Sequence, residues 1–293
     1  MKNNLSKYIK KRFSPLFFVP ITLVFYLSFY LYSETNNDDI ALSITTLIGF
    51  LIVFLIFFHI RILDDIKDYK EEVYNKESLK KYLIAIIILE ILLSTLLGAN
   101  ILAIYLILLL FSAGIFYDFF IRRFLTKNLL LKNFTHQTMI ILIGVFIFLI
   151  NHKNILKIDY YYILFCFNMF FIFALFEFTR KIKDKKEEES NKSYNNIFGK
   201  KNFSILIITM IALICFLTII SFEEINYFII LVFESIISLI LIATTVLYLR
   251  NKIKEKVLKK ACFLFLLLTL LMIIFTIIYT KDISFEIGTL AVF

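Results

Sequence analysis

Nine runs of about twenty apolar residues limit what this chain can become. They lie at about 15–33, 40–60, 80–98, 100–118, 134–150, 160–178, 203–221, 226–249 and 261–280. A helix of roughly 20 residues crosses about 30 Å of hydrocarbon, and a backbone in lipid must satisfy its own polar groups. Each run therefore reads as a transmembrane helix. Composition agrees, with 60% of the 293 residues hydrophobic and a mean hydropathy of +0.86, against about 45–50% apolar for a soluble domain. This excludes a secreted disulfide scaffold, a disordered tail and a soluble nucleic-acid binder. Cys166, Cys215 and Cys262 are far apart in apolar runs and point to neither a disulfide nor a metal cluster. The expected fold class is all-α: a polytopic membrane protein of about nine helices, forming one domain over residues 1–293.

The cationic residues give the orientation. Of the 32 Lys and Arg, 29 fall in the N-terminus and in the connections after spans 2, 4, 6 and 8, and 3 fall elsewhere. Basic connections stay in the cytoplasm, which places the N-terminus inside and the C-terminus outside. The net charge of +9 is then a membrane-topology signal, and no nucleic-acid partner is expected. The basic start followed by an apolar run has no small-residue cleavage site and reads as an uncleaved first helix. The expected location is a multi-pass position in the cytoplasmic membrane.

The chain has no GxGxxG, Walker A, HExxH or CxxC sequence. Its chemistry-bearing residues are acidic, and ten of the 23 Asp and Glu fall in two short clusters. The first follows span 2: Arg61, Asp64, Asp65, Lys67, Asp68, Lys70, Glu71 and Glu72. The second follows span 6: Glu177, Arg180, Lys181, Asp184, Glu187, Glu188 and Glu189. Both lie at the expected cytoplasmic ends, about residues 61–80 and 179–202. If span 2 continues as a helix, Arg61, Asp65, Asp68 and Glu72 share one face. Carboxylates on one stripe repel unless a cation sits among them, and hard divalent cations prefer such oxygens. In the second cluster Glu177, Lys181, Asp184 and Glu188 share a face with alternating charge, as a phosphate-bearing ligand with its metal would require.

Nine spans with acidic motifs after the second and sixth resemble the UbiA superfamily of intramembrane prenyltransferases. The first motif reads DDxxDxxxE from Asp64 to Glu72, where that family has NDxxDxxxD. The second reads DxxxE from Asp184 to Glu188, with Glu177 upstream, where the family has DxxxD. Glu177, Arg180, Lys181, the Glu187–Glu189 run and Tyr194 look like the E-x-x-R-K…E-E…T-Y version of a divergent branch. Asp118, Phe119 and Phe120, followed by His136 and Gln137, look like its EFF…HQ pattern. The resemblance implies a UbiA-like helical bundle. It also implies an Mg²⁺-dependent transfer of an isoprenyl group from a prenyl diphosphate to a lipophilic acceptor, aromatic or quinone-precursor in class. Asp64, Asp65, Asp68 and Glu72 would hold one Mg²⁺, and Glu177, Asp184, Glu187 and Glu188 the second. Arg61, Arg122, Arg123, Arg180 and Lys181 would contact the diphosphate, with Asp65, Asp68 and Lys181 central to catalysis. Tyr117, Asp118, His136, Gln137 and Tyr194 are candidate pocket residues.

Isolated polar residues inside the spans add to these. Glu90 in span 3 is a further pocket candidate and Glu234 in span 8 a cavity-facing acid, because intramembrane acids usually face a cavity. Asn100 and Asn168 fit bonds between helices, and His59 fits packing. The competing class is a transporter, or a non-catalytic protein of the same fold. Transporters break helices with Gly or Pro and put charge at the midplane, whereas here the acid gathers at one end of the spans.

Overall fold

The structure is a computed structural model that describes residues 8–10, 12–35, 39–67, 76–121, 124–125, 128–182, 194–223 and 228–285. Within these, residues 39, 41, 129, 194–197 and 282–285 are described by their backbone alone. Among the described residues nine long helices occupy the nine apolar runs: α1 (Pro15–Ser33), α2 (Ile44–Lys67), α3 (Lys76–Leu97), α4 (Ala99–Phe116), α5 (Leu129–His152), α6 (Tyr160–Arg180), α7 (Tyr194–Ser221), α8 (Phe228–Leu249) and α9 (Glu255–Thr280). All but α3 are long and apolar enough to cross a membrane by length and composition alone. α3 differs because Lys80, Lys81 and Glu90 all fall within its last eighteen residues.

The largest departure from expectation is at span 2. The apolar run begins near residue 40, but Asp39–Leu42 is a strand, β1, paired in parallel with β2 (Asp282–Phe285). The helix starts after Ser43, whose backbone N–H donates to the Thr46 hydroxyl at 3.1 Å. That is one arm of a capping box, with Thr at the third helical position. At its other end α2 runs seven residues past the apolar stretch, to Lys67. α3 and α4 are joined through Gly98 alone, at φ +122°, a backbone that a residue with a Cβ rarely adopts.

The chain groups into two compact units. The first takes residues 1–122, 142–157 and 282–293. In it α2 packs against α1, α3 and α4, and α3 packs against α4. Phe25, Phe29, Ile52, Ile56, Tyr105 and Leu108 are buried there. At one end Asn151 donates to the Ser33 hydroxyl, and Asn100 donates to the Lys153 carbonyl at 2.9 Å. The second unit takes residues 123–141 and 158–281. Its α6, α7, α8 and α9 pack in sequence, and α9 closes on α6. Phe165, Met169, Ile211, Ile214 and Leu270 are buried there. Asn168 on α6 donates to the Thr218 hydroxyl on α7 at 2.8 Å, the cross-helix bond expected of an amide inside a span. Leu92, Leu96, Leu110, Leu239 and Ile240 are exposed. In a multi-pass membrane protein such side chains meet lipid tails.

Candidate functional site

Because α2 continues to Lys67, Arg61, Asp64 and Asp65 all stand on helix at its carboxyl end. Acidic groups are disfavoured there, where the helix dipole is negative. The local partners offset this. Arg61 Nη2 is 3.5 Å from Asp65 Oδ1, and the Tyr8 hydroxyl donates to Asp65 Oδ2 at 2.9 Å. The Nε of Arg61 is buried and has no hydrogen-bond partner among the described residues. A buried donor without an acceptor is costly, and a bound anion would satisfy it.

Lys67, inside the first motif, turns to another helix. Its Nζ donates to Asp118 Oδ1 at 2.8 Å and to the Ile115 carbonyl at 3.1 Å, in the last turn of α4. A cation at a helix carboxyl end is favourable. Asp118 is 2% exposed and opens a turn in which Asp118, Phe119 and Phe120 have φ of 51°, 50° and 61°. Left-handed backbone costs roughly 1–2 kcal/mol per residue, and Asp and Asn tolerate it better than most. Gly114 makes room for the turn, since a Cβ there would lie 2.6 Å from the Phe119 ring. Asp118→Ala therefore loses both the ion pair and the backbone tolerance. It is expected to cost about 2 kcal/mol, and Asp118→Asn roughly half of that. Denaturant unfolding in micelles measures both, and equal losses would remove the backbone contribution.

In the second unit, Glu177 ends α6 with both oxygens engaged. Arg180 Nε donates to Oε2 at 2.7 Å and Nη2 to Oε1 at 2.8 Å. Lys181 Nζ lies 3.0 Å from Oε1. One carboxylate thus faces two cations, leaving a net positive group suited to an anion. Glu177 would serve as a metal ligand only after release from this fork. His136 and Gln137 are half-buried in the first turns of α5. The preceding Asn133 and Phe134 lie against α6: Asn133 donates to the Ala174 carbonyl at 3.4 Å, and Phe134 stacks on Phe170.

Other candidates fall in different settings. Tyr117 is exposed and stacked on Phe120 with centroids 5.6 Å apart. Glu90 is fully buried, with both oxygens 2.9 Å from His59 Nδ1 and the Tyr105 hydroxyl donating to Oε2 at 2.6 Å. A substrate contact at Glu90 would have to compete with those bonds. Glu234 is buried near Thr218. Asp68, Glu72, Arg122, Arg123, Asp184, Glu187 and Glu188 lie outside the described residues, and Tyr194 is described by its backbone alone.

At the first cluster the sequence assigns no role to Lys67 and does not single out Tyr8. Lys67 sits at a variable position of the motif, and its partner is 51 residues away. Tyr8 lies in a basic segment, 57 residues from Asp65. A usable hint for Tyr8 was its place as an aromatic residue among charges, next to the first span.

Nine long helices among the described residues, with acid and arginine at the carboxyl ends of the second and sixth, define a multi-pass membrane protein with an all-helical bundle fold. The chain is similar to a solved structure of digeranylgeranylglyceryl phosphate synthase in membranes, with a TM-score of 0.68 and 18% identity over 95% of this chain and 100% of that one. At that identity the likeness shows a shared membrane-helix bundle fold. No family model and no curated protein sequence matches the chain.

Proposed function

We propose that this chain is an Mg²⁺-dependent intramembrane prenyltransferase of the cytoplasmic membrane. It would move an isoprenyl group from a prenyl diphosphate to a lipophilic acceptor, aromatic or quinone-precursor in class. The observation that carries the reading is the end of α2, where the buried, unpartnered Nε of Arg61 lies one turn before the adjacent carboxylates Asp64 and Asp65. A buried guanidinium donor without an acceptor, beside two adjacent carboxylates, suits a metal diphosphate.

The donor set fits Mg²⁺, which keeps waters and substrate phosphates around one or two carboxylates. Asp64 and Asp65, with Asp68 and Glu72, would hold it. A second ion would fall to Asp184, Glu187 and Glu188, with Glu177 if it leaves Arg180. When bound, the metal neutralises the diphosphate as the allylic C–O bond ionises. Arg61 donates to diphosphate oxygens in the planar geometry that suits them, and Arg180 and Lys181 add positive charge. Arg122 and Arg123 belong to the same group by position. Tyr117, Asp118, His136, Gln137 and Tyr194 are proposed to line the pocket. The apolar spans keep water from the cation and accommodate the isoprenoid tail.

The test is diphosphate release by purified protein in lipid, across prenyl diphosphates of increasing length, with aromatic and glyceryl phosphate acceptors. Release that needs Mg²⁺ and is lost in Asp68→Ala is expected. Absence of Mg²⁺-dependent binding at every length would move the protein to the transport or non-catalytic class.

A further inference from the structure

We infer that Tyr8 is a positioning residue, which a segment preceding α1 holds against Asp65 so that the carboxylate faces the metal in a fixed orientation. The inference rests on the reading of Asp65 as a metal ligand. Tyr8 belongs to a strongly basic stretch of sequence, yet it is 1% exposed. Its ring packs with Phe13, Phe58, Ile62, Ile66 and Leu79 in one buried cluster. Phe13 anchors the segment further. Its ring lies 4.2 Å from that of Phe18, 4.6 Å from Phe58 and 5.3 Å from Phe54, centroid to centroid. Phe54, Phe58, Ile62 and Asp65 follow one another at helical spacing on one face of α2. The stripe that seats the segment therefore ends at the candidate ligand.

The hydroxyl does more than fill space. It donates to Oδ2 of Asp65 while Oδ1 faces Arg61, so each oxygen has its own partner and the carboxylate plane is fixed. A phenol carries its proton at neutral pH, so the hydroxyl acts as a donor to the carboxylate. An ionised carboxylate offers about four lone-pair sites; Tyr8 uses one and Arg61 faces another, leaving room for a cation. Outer partners of this kind orient metal-binding carboxylates, and losing one costs about 10–100-fold in metal affinity.

The test uses the full chain in lipid nanodiscs, with geranylgeranyl diphosphate as probe and Mg²⁺ titrated. Tyr8→Phe keeps the ring and removes the hydroxyl. The half-saturating Mg²⁺ is expected to rise about 10–100-fold, with the unfolding midpoint unchanged and full binding recovered at high Mg²⁺. Tyr8→Ala should also lower the midpoint, because it empties the aromatic cluster. If Asp65→Ala abolishes binding while Tyr8→Phe titrates like wild type, the inference fails and the metal site stands. If Tyr8→Phe loses midpoint and binding together, Tyr8 is a packing residue and the inference again fails. If the wild-type protein shows no Mg²⁺-dependent binding, the reading of the site falls first and takes the inference with it.

Discussion

Asp65→Ala is expected to abolish Mg²⁺-dependent binding of a prenyl diphosphate while the protein stays folded. The two effects separate because the residue has few structural duties. Its ion pair with Arg61 is 3.5 Å long and partly exposed, and such a pair contributes little to stability, about 0–1 kcal/mol. Its other partner is the Tyr8 hydroxyl, whose loss costs about 1 kcal/mol. A metal ligand is different, since an outer-shell partner alone accounts for 10–100-fold in affinity. Removing the carboxylate itself should exceed about 100-fold. Asp65→Asn sharpens the comparison, because the amide keeps an oxygen for Tyr8 and loses the charge. It should bind the probe as poorly as Asp65→Ala and unfold like wild type. Calorimetric Mg²⁺ titration in the presence of the diphosphate reads both. Undiminished binding in the two variants would remove Asp65 from the metal site.

The parts of the molecule legible in sequence are those governed by local periodicity. The spans announce themselves because a lipid-crossing helix must be apolar for about twenty residues. The shared face of Arg61 and Asp65, expected on condition that the helix continued past Arg61, is found in the structure as an i, i+4 pair. Glu177 and Lys181, expected on one face, likewise meet as an i, i+4 pair, and Arg180 joins them at i+3. Residues brought together by tertiary packing were not legible. Nothing near Lys67 signals that it reaches Asp118, because that contact depends on where α4 ends. The left-handed turn at Asp118 depends on the space left by Gly114 four residues earlier, and Phe119 and Phe120 are poor predictors of such backbone. The strand Asp39–Leu42 reads as the start of a span because its apolar residues run into those of α2, and its partner lies at the far end of the chain.

The second large effect is expected at Glu90, which is fully buried on α3. This carboxylate joins three helices, accepting from His59 on α2 and from Tyr105 on α4 while sitting on α3. Hydrocarbon supplies no water to replace a lost partner. Glu90→Ala would leave the Nδ1 of His59 and the hydroxyl of Tyr105 buried without an acceptor. Interhelical hydrogen bonds in membranes average only about 0.6 kcal/mol by double-mutant cycles, because unfolded helices in lipid also find partners. Breaking a buried ion pair from one side in a soluble protein costs about 3–5 kcal/mol. Glu90→Ala falls between these limits, at about 3 kcal/mol, since it orphans two groups and empties side-chain volume as well. Tyr105→Phe removes one bond and leaves the His59 contact, so about 0.6–1 kcal/mol is expected. Glu90→Gln keeps one oxygen for the two donors and should lie between them. The order in SDS-driven unfolding is thus Glu90→Ala, then Glu90→Gln, then Tyr105→Phe, from most to least destabilised. A Glu90→Ala protein as stable as Tyr105→Phe would mean that the three groups do not act as one network. His59 lies six residues before Asp65, roughly 9 Å along the same helix. A folded Glu90→Gln protein should therefore also show weaker Mg²⁺-dependent diphosphate binding if this network fixes the rotation of α2.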